Sequence, residues 1–145
     1  MKYLGIDYGL RRTGVAASDT AGSMAFPRCT VLRKNRAQFW RSFETLMAAE
    51  RPDALAVGLP LRADGTDGET TLHVRAFVKE FKRRYALPVF QVDERLTSFA
   101  AKQDLRDAHD HTGSAWSREK LDQQAAVHIL ESFLHQQEQE RRLFP

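Results

Sequence analysis

Short apolar runs alternate with turn-forming residues through the first quarter of the chain. Tyr3 to Tyr8 is apolar but for one acid and runs into Gly9; Thr13 to Ser18 and Met24 to Leu32 follow. Gly9-Leu10-Arg11-Arg12 and Asp19-Thr20-Ala21-Gly22-Ser23 separate them, and connections this short predict an antiparallel meander of three strands. From Asn35 the period lengthens. Phe39, Trp40, Phe43, Leu46 and Met47 recur at helical spacing, with Asn35 as the N-cap and Pro52 beyond the end. Ala54 to Leu59 is apolar on both faces, which predicts a strand buried between layers. After the polar, glycine-rich loop from Asp64 to Gly68, Val74, Phe77, Val78 and Phe81 mark a second helix that closes before Pro88. Val89 to Val92 reads as a fifth strand, ending in Asp93-Glu94-Arg95. A short helix is expected over Ser98 to Asp107, then a mobile polar loop from Ala108 to Ser117. The last helix is expected from Arg118 to about Gln137, with a fraying polar tail beyond it.

A meander followed by helix, strand, helix, strand and helix implies an α/β domain. Its sheet is mixed and five-stranded, three antiparallel strands plus two parallel ones, covered by helices. The 145 residues suit a single domain, taken as residues 1–138 with a polar C-terminal tail over 139–145. At 42% hydrophobic and 28% charged the composition is neither disordered nor membranous. No stretch approaches the roughly 18 apolar residues of a spanning helix. An acid and two glycines stand near the N-terminus where a secretory signal needs an apolar run. One cysteine, Cys29, excludes an internal disulfide and a Cys-rich zinc cluster. These features point to a cytoplasmic protein with no membrane partner. Lysine and arginine exceed the acids by three, an excess that permits a polyanionic partner without establishing one.

Three acids stand where acids cost free energy. Asp7 lies in an apolar strand, on the face it shares with Gly5 and Gly9, a surface cleared of bulk. Glu94 closes the fifth strand, and ligands of open α/β sheets gather at strand carboxyl ends. Asp122 heads a helical stripe continued by Ala126, Ile129 and Phe133, where an acid is expensive unless it binds a cation or accepts several hydrogen bonds. Singly, each has an ordinary explanation: a turn-forming Asp, a surface ion pair, an acid near a helix N-terminus. Together they supply the oxygen donors that hard divalent cations take, and they suit two-metal phosphodiester hydrolysis.

The same residues carry a family resemblance. Gly5-Ile6-Asp7-Tyr8-Gly9, Arg12-Thr13-Gly14-Val15-Ala16 and Ser18-Asp19 resemble the opening signature of the YqgF (RuvX) family. Val57-Gly58-Leu59-Pro60-Leu61 with Asp64-Gly65-Thr66 resembles its second motif, Asp93-Glu94-Arg95-Leu96-Thr97-Ser98 its third, and Leu121-Asp122 with Ala125-Ala126 its fourth. The resemblance implies a fold similar to ribonuclease H and to the RuvC Holliday-junction resolvase. It implies a nuclease that matures the 5′ end of precursor 16S ribosomal RNA or, in an alternative reading, resolves four-way DNA junctions. Asp7, Glu94 and Asp122 would be the catalytic, metal-binding triad for Mg²⁺ or Mn²⁺, two ions in the fullest version. RuvC adds an acid on the last helix; here Gln123, Gln124, Ala125 and Ala126 follow Asp122, which leaves Asp93 or Asp19 to supply a further ligand.

Arg11 and Arg12 in the first hairpin, and Arg95 beside Glu94, are candidate phosphate contacts. Lys79, Lys82, Arg83 and Arg84 read as the solvated side of the second helix, and Phe39, Trp40 and Phe43 as core rather than a base-stacking platform. His109 and His111 flank Asp110 and read as a surface loop that could assist proton transfer if it covers the substrate. An ATP-binding module of the actin or sugar-kinase kind also opens with an acid and glycine on its first strand, but it needs two lobes and this chain has room for one. A non-catalytic nucleic-acid-binding domain has no reason to keep all three acids. Nothing here reads a base or fixes the oligomeric state, monomer or homodimer.

Overall fold

The computed structural model describes residues 1–96 and 117–144. Its strands are β1 (Tyr3–Asp7), β2 (Arg12–Ser18), β3 (Ala25–Leu32), β4 (Ala54–Leu59) and β5 (Val89–Asp93). Three helices accompany them, α1 (Arg36–Glu50), α2 (Glu69–Arg84) and α3 (Arg118–Leu143). The sheet order is β3-β2-β1-β4-β5. β1–β2 and β2–β3 are antiparallel, β1–β4 and β4–β5 parallel, which is the mixed α/β sheet expected from the sequence.

Alternation along the central strands sends side chains to two unlike layers. Leu4, Ile6, Val15, Leu55 and Val57 join Phe39, Trp40, Phe43, Phe77 and Phe81 on the face covered by α1 and α2. Phe39, Trp40 and Phe43 are therefore core, as their spacing predicts. The opposite face is built from smaller residues, Ala16, Ala54 and Ala56 among them, and packs on Ala126, Ile129, Leu130 and Phe133 of α3. Small residues there let α3 lie close: a Cβ on Gly5 would stand 2.7 Å from Leu130 Cβ and 2.8 Å from the Ala126 carbonyl oxygen.

The helix ends follow local chemistry. Asn35 caps α1 by accepting from the Gln38 N–H at 2.9 Å. Arg51 closes it in the left-handed region, at φ 47°. α2 begins at Glu69, several residues before its first apolar position. Its third residue, the buried Thr71, accepts from the Gly68 N–H at 3.0 Å and donates to the Pro60 carbonyl, fastening the helix to the end of β4. Ser117 caps α3 by accepting from the Lys120 N–H. Thr30 of β3 pins the same end, donating to the Glu119 carbonyl and accepting from Gln123 Nε2.

One expectation needs correction. α3 continues to Leu143, so most of the segment 139–145 is helical rather than frayed. Gln, Glu and Arg are good helix formers despite their polarity. Arg142 pairs with Glu138 one turn back, and Arg141 and Arg142 suit the negative end of the helix dipole. The expected helix Ser98–Asp107 and the loop carrying His109 and His111 lie outside the described residues.

Candidate active site

Because β1, β4 and β5 are mutually parallel, their carboxyl ends share one edge of the sheet. Asp7 is the last residue of β1, and Glu94 opens a 3₁₀ turn, Glu94–Leu96, directly after β5. Asp122 descends from the beginning of α3. All three line one open cleft of about 490 Å³, and Arg11 and Arg12 from the β1–β2 hairpin line it too.

Two glycines make this approach possible. Gly14 stands opposite Asp7 in the β1–β2 ladder. A Cβ there would sit 2.0 Å from the Asp122 carbonyl oxygen, so only glycine lets the start of α3 rest on β2. On β4, a Cβ at Gly58 would meet Glu94 Oε1 and Ile129 Cδ1, each at 2.5 Å. Thus the space beside Asp7 is occupied on one side by the helix that carries Asp122 and on the other by the Glu94 carboxylate.

The charges are arranged in distinct pairs. Arg12 Nε donates to Asp122 Oδ2 at 2.9 Å; the two side chains are 30% and 14% exposed. This charge-assisted bond offsets the cost of largely burying the acid and fixes the carboxylate against the hairpin. Arg11 is exposed and makes no ion pair among the described residues. Arg95, by contrast, is turned onto Asp93, at 2.7 Å between Nη2 and Oδ2, and onto the Ala63 carbonyl, and it does not line the cleft. Its hydrogen bonds hold the Asp93 carboxyl below the ordinary aspartate range. Asp19 accepts from the Ser23 hydroxyl and the Ser23 and Met24 N–H groups, which hold its carboxyl down at about 2. Both acids are thus engaged in local turns, and neither lines the cleft as the further ligand considered from sequence.

The donor set suits a hard divalent cation: three carboxylates, no sulfur, and an opening to solvent. Among the described residues no three His, Cys, Asp or Glu side chains close on a single point. That is compatible with Mg²⁺, which keeps several waters and takes only one or two carboxylates together with substrate phosphate. Sequence reading missed Thr70 and His73, which face the acids from the first turns of α2. Their only advance signal was the 3.6-residue period of the helix, which puts Thr70 and His73 on one side.

The family profile described as "RuvX: Holliday junction resolvase" matches residues 1–136. A protein of Nitratidesulfovibrio vulgaris (strain Miyazaki F) named "Putative pre-16S rRNA nuclease" is 54% identical over 141 residues, covering 97% of this chain and 98% of the relative. A protein of the same name from Pseudomonas fluorescens (strain SBW25) is 37% identical over 131 residues, 90% of each chain. Among solved structures, Thermus thermophilus RuvC in complex with a Holliday junction substrate superimposes with a TM-score of 0.59 at 14% identity, over 95% of this chain and 96% of that one. The fowlpox virus Holliday junction resolvase gives 0.55 at 15%, over 94% and 99%. The sheet and its helices are therefore those of the RuvC-like resolvases. The sequence match decides between the nuclease and the nucleotide-binding readings, and the chain belongs to the RuvX family of hydrolytic nucleases.

Proposed function

We propose that the cleft hydrolyses phosphodiester bonds with Mg²⁺ or Mn²⁺, and that its substrate is the 5′ end of precursor 16S ribosomal RNA. The observation that carries the reading is the convergence of three carboxylates from three separate elements on one cleft, with cationic side chains beside them. Asp7, Glu94 and Asp122 are the residues that would hold the metal. When bound, the metal supplies a water nucleophile at neutral pH and charge stabilisation at the phosphoryl oxygens. Asp7, on a central strand paired on both sides, is the most rigidly placed of the three and sets the position of the scissile phosphate. Glu94 flanks it across Gly58. Arg12 keeps Asp122 oriented toward the same space, and Arg11 grips a phosphate of the substrate from the hairpin. Arg95 would contact nucleic acid only after leaving Asp93. Ribosomal RNA as substrate sets the cytoplasm as the compartment, and it rests on the names of the relatives.

The test compares wild type with Asp7→Asn, each with Mg²⁺, Mn²⁺ or EDTA, on a precursor 16S RNA end fragment and on a synthetic four-way DNA junction. Metal-dependent cutting of the RNA by wild type alone is the expected result. Paired symmetric cuts in the junction alone would keep the carboxylate chemistry, replace the substrate, and call for a two-fold homodimer. If folded wild type cuts neither, the hydrolytic reading fails.

A further inference from the structure

Adjoining the cleft at Tyr8, the one lining residue they share, is a second pocket of about 410 Å³. Its floor is aromatic. The Tyr8 ring stacks on Phe77 at 4.7 Å and 15°, and Trp40 stacks on the same ring at 5.6 Å and 13°. Its walls are cationic: Arg33 from the end of β3, Arg36 from the first turn of α1, and Lys79 and Arg83 from α2. Four cations there face one carboxylate, Glu80, which Arg36, Arg83 and Arg84 share at 3.4, 2.6 and 2.9 Å. Among the described residues Arg33 and Lys79 have no acidic partner. Arg33 instead donates to the Tyr8 hydroxyl at 2.6 Å and lies 5.5 Å over the Phe39 ring. The chain's whole formal excess is only three positive charges, so this pocket concentrates cations that the rest of the surface balances. A solvated helix side explains Lys79 and Arg83. It does not explain why Arg33, just after β3, and Arg36 of α1 converge on the same aromatic floor.

We propose that this pocket is a second nucleic-acid site, which holds phosphates of a single-stranded segment flanking the bond cut in the cleft. Cations from separate elements gathered around one groove can track a phosphate backbone without base readout, and the buried rings of Trp40 and Phe77 beneath them shape its floor. Tyr8 is the hinge between the two sites: it follows Asp7 on the chain, and Arg33 fixes its hydroxyl on the pocket side. The inference rests on the nuclease reading for what the strand is, but its test needs no cleavage.

In the Asp7→Asn background, the affinity of a fluorescently labelled single-stranded RNA is measured by anisotropy across a salt series. Arg36→Ala/Lys79→Ala is compared with Arg141→Ala/Arg142→Ala, a charge-matched change at the far end of α3. Arg36 and Lys79 are exposed, and circular dichroism checks that both variants stay folded. Each lost phosphate contact lowers the salt slope of single-strand binding by about 0.7. The pocket variant should therefore lose about 1.4 of slope and bind more weakly at low salt, while the α3 variant keeps the parent slope. Equal slopes in all three proteins would overturn the proposal. So would loss of poly-glutamate binding with RNA binding intact, which would reassign the pocket to an acidic protein. Wild type that binds RNA through the pocket yet cuts nothing would sink the hydrolytic reading alone.

Discussion

Gly14→Ala disturbs the site while leaving every one of its functional side chains intact. The added methyl would stand 2.0 Å from the Asp122 carbonyl oxygen and 2.4 Å from its carbonyl carbon, where ordinary contact begins at 3.4 Å. Those atoms are helix backbone, so no rotamer change relieves the clash. β2 is clamped between β1 and β3 along its length, which leaves α3 to retreat, by about 1.4 Å. Overpacking of this kind typically costs about 1–3 kcal/mol. At about 4 °C per kcal/mol for a domain of this size, the melting temperature should fall by about 4–12 °C. The same retreat carries Asp122 away from Asp7 and strains its bond to Arg12. A displacement of about 1 Å in a reacting constellation can cost about 100-fold in rate.

The assay pairs thermal unfolding with single-turnover cleavage of whichever substrate the wild type cuts, and Gly5→Ala is the control. That methyl would also push on α3, at 2.7 Å from Leu130 Cβ and 2.8 Å from the Ala126 carbonyl oxygen, but further along the helix from Asp122. Gly5→Ala should therefore lose stability with much less loss of rate. If Gly14→Ala melts with the parent, the close approach of α3 to β2 is wrong. If the two variants lose rate in proportion to their lost stability, the glycine does not position Asp122.

Two further changes test the frame around the site. Thr71→Val is nearly isosteric but strips the part-buried Gly68 N–H and Pro60 carbonyl of their partner, which should cost about 1–2 kcal/mol. A urea midpoint unchanged from wild type, or a Thr71→Ser variant as weak as the Val one, would refute that role. Hydrogen bonds from Arg83, then Arg84, with the charges of Arg83 and Arg36 beside them, lower the Glu80 carboxyl from 4.5 to about 2, so the fold favours its ionised form. Its stabilising contribution is complete above pH 4.5 and disappears as pH falls toward 2. The stability difference between wild type and Glu80→Gln should accordingly be flat at neutral pH and shrink across that acid window; a difference that grows on acidification would reverse the sign and the argument.

The fold was legible because its signals are local. Short apolar runs between turn-forming residues, the Asn35 cap and the all-apolar Ala54–Leu59 strand each fix an element without help from the rest of the chain, and the order of elements then allows few sheets. The acids were legible for a different reason: Asp7 and Asp122 break apolar patterns that are otherwise strict, and a broken pattern is visible in one dimension. Arg12 and Arg95 look alike in the sequence, each a candidate phosphate contact. Their fates differ because Asp93 lies two residues from Arg95 and captures it, whereas the partner of Arg12 is 110 residues away. No spacing rule reports a partner at that distance. Gly14 and Gly58 were visible as motif letters, but the atoms that forbid a side chain there belong to α3 and to the turn after β5.

Placement of the cleft follows from the direction of the strands more than from any single residue. A parallel β1–β4–β5 set delivers Asp7 and Glu94 to one edge, but a helix-covered sheet ordinarily fills the space above that edge with side chains. Here much of the covered face is alanine and glycine, Gly5, Gly14, Ala16, Ala56 and Gly58 among them, so α3 sinks until its own early acid reaches the rim. Asp7, the last residue of β1, and Tyr8, the residue after it, then divide the work: Asp7 lines the cleft on the thin, glycine-floored side, and Tyr8 packs on the thick aromatic side. Enlarging the small residues would close the first space, and trimming the aromatics would collapse the second. The contrast in bulk between the two sheet faces is thus what keeps an open acidic cleft and a cationic aromatic pocket within one residue of each other.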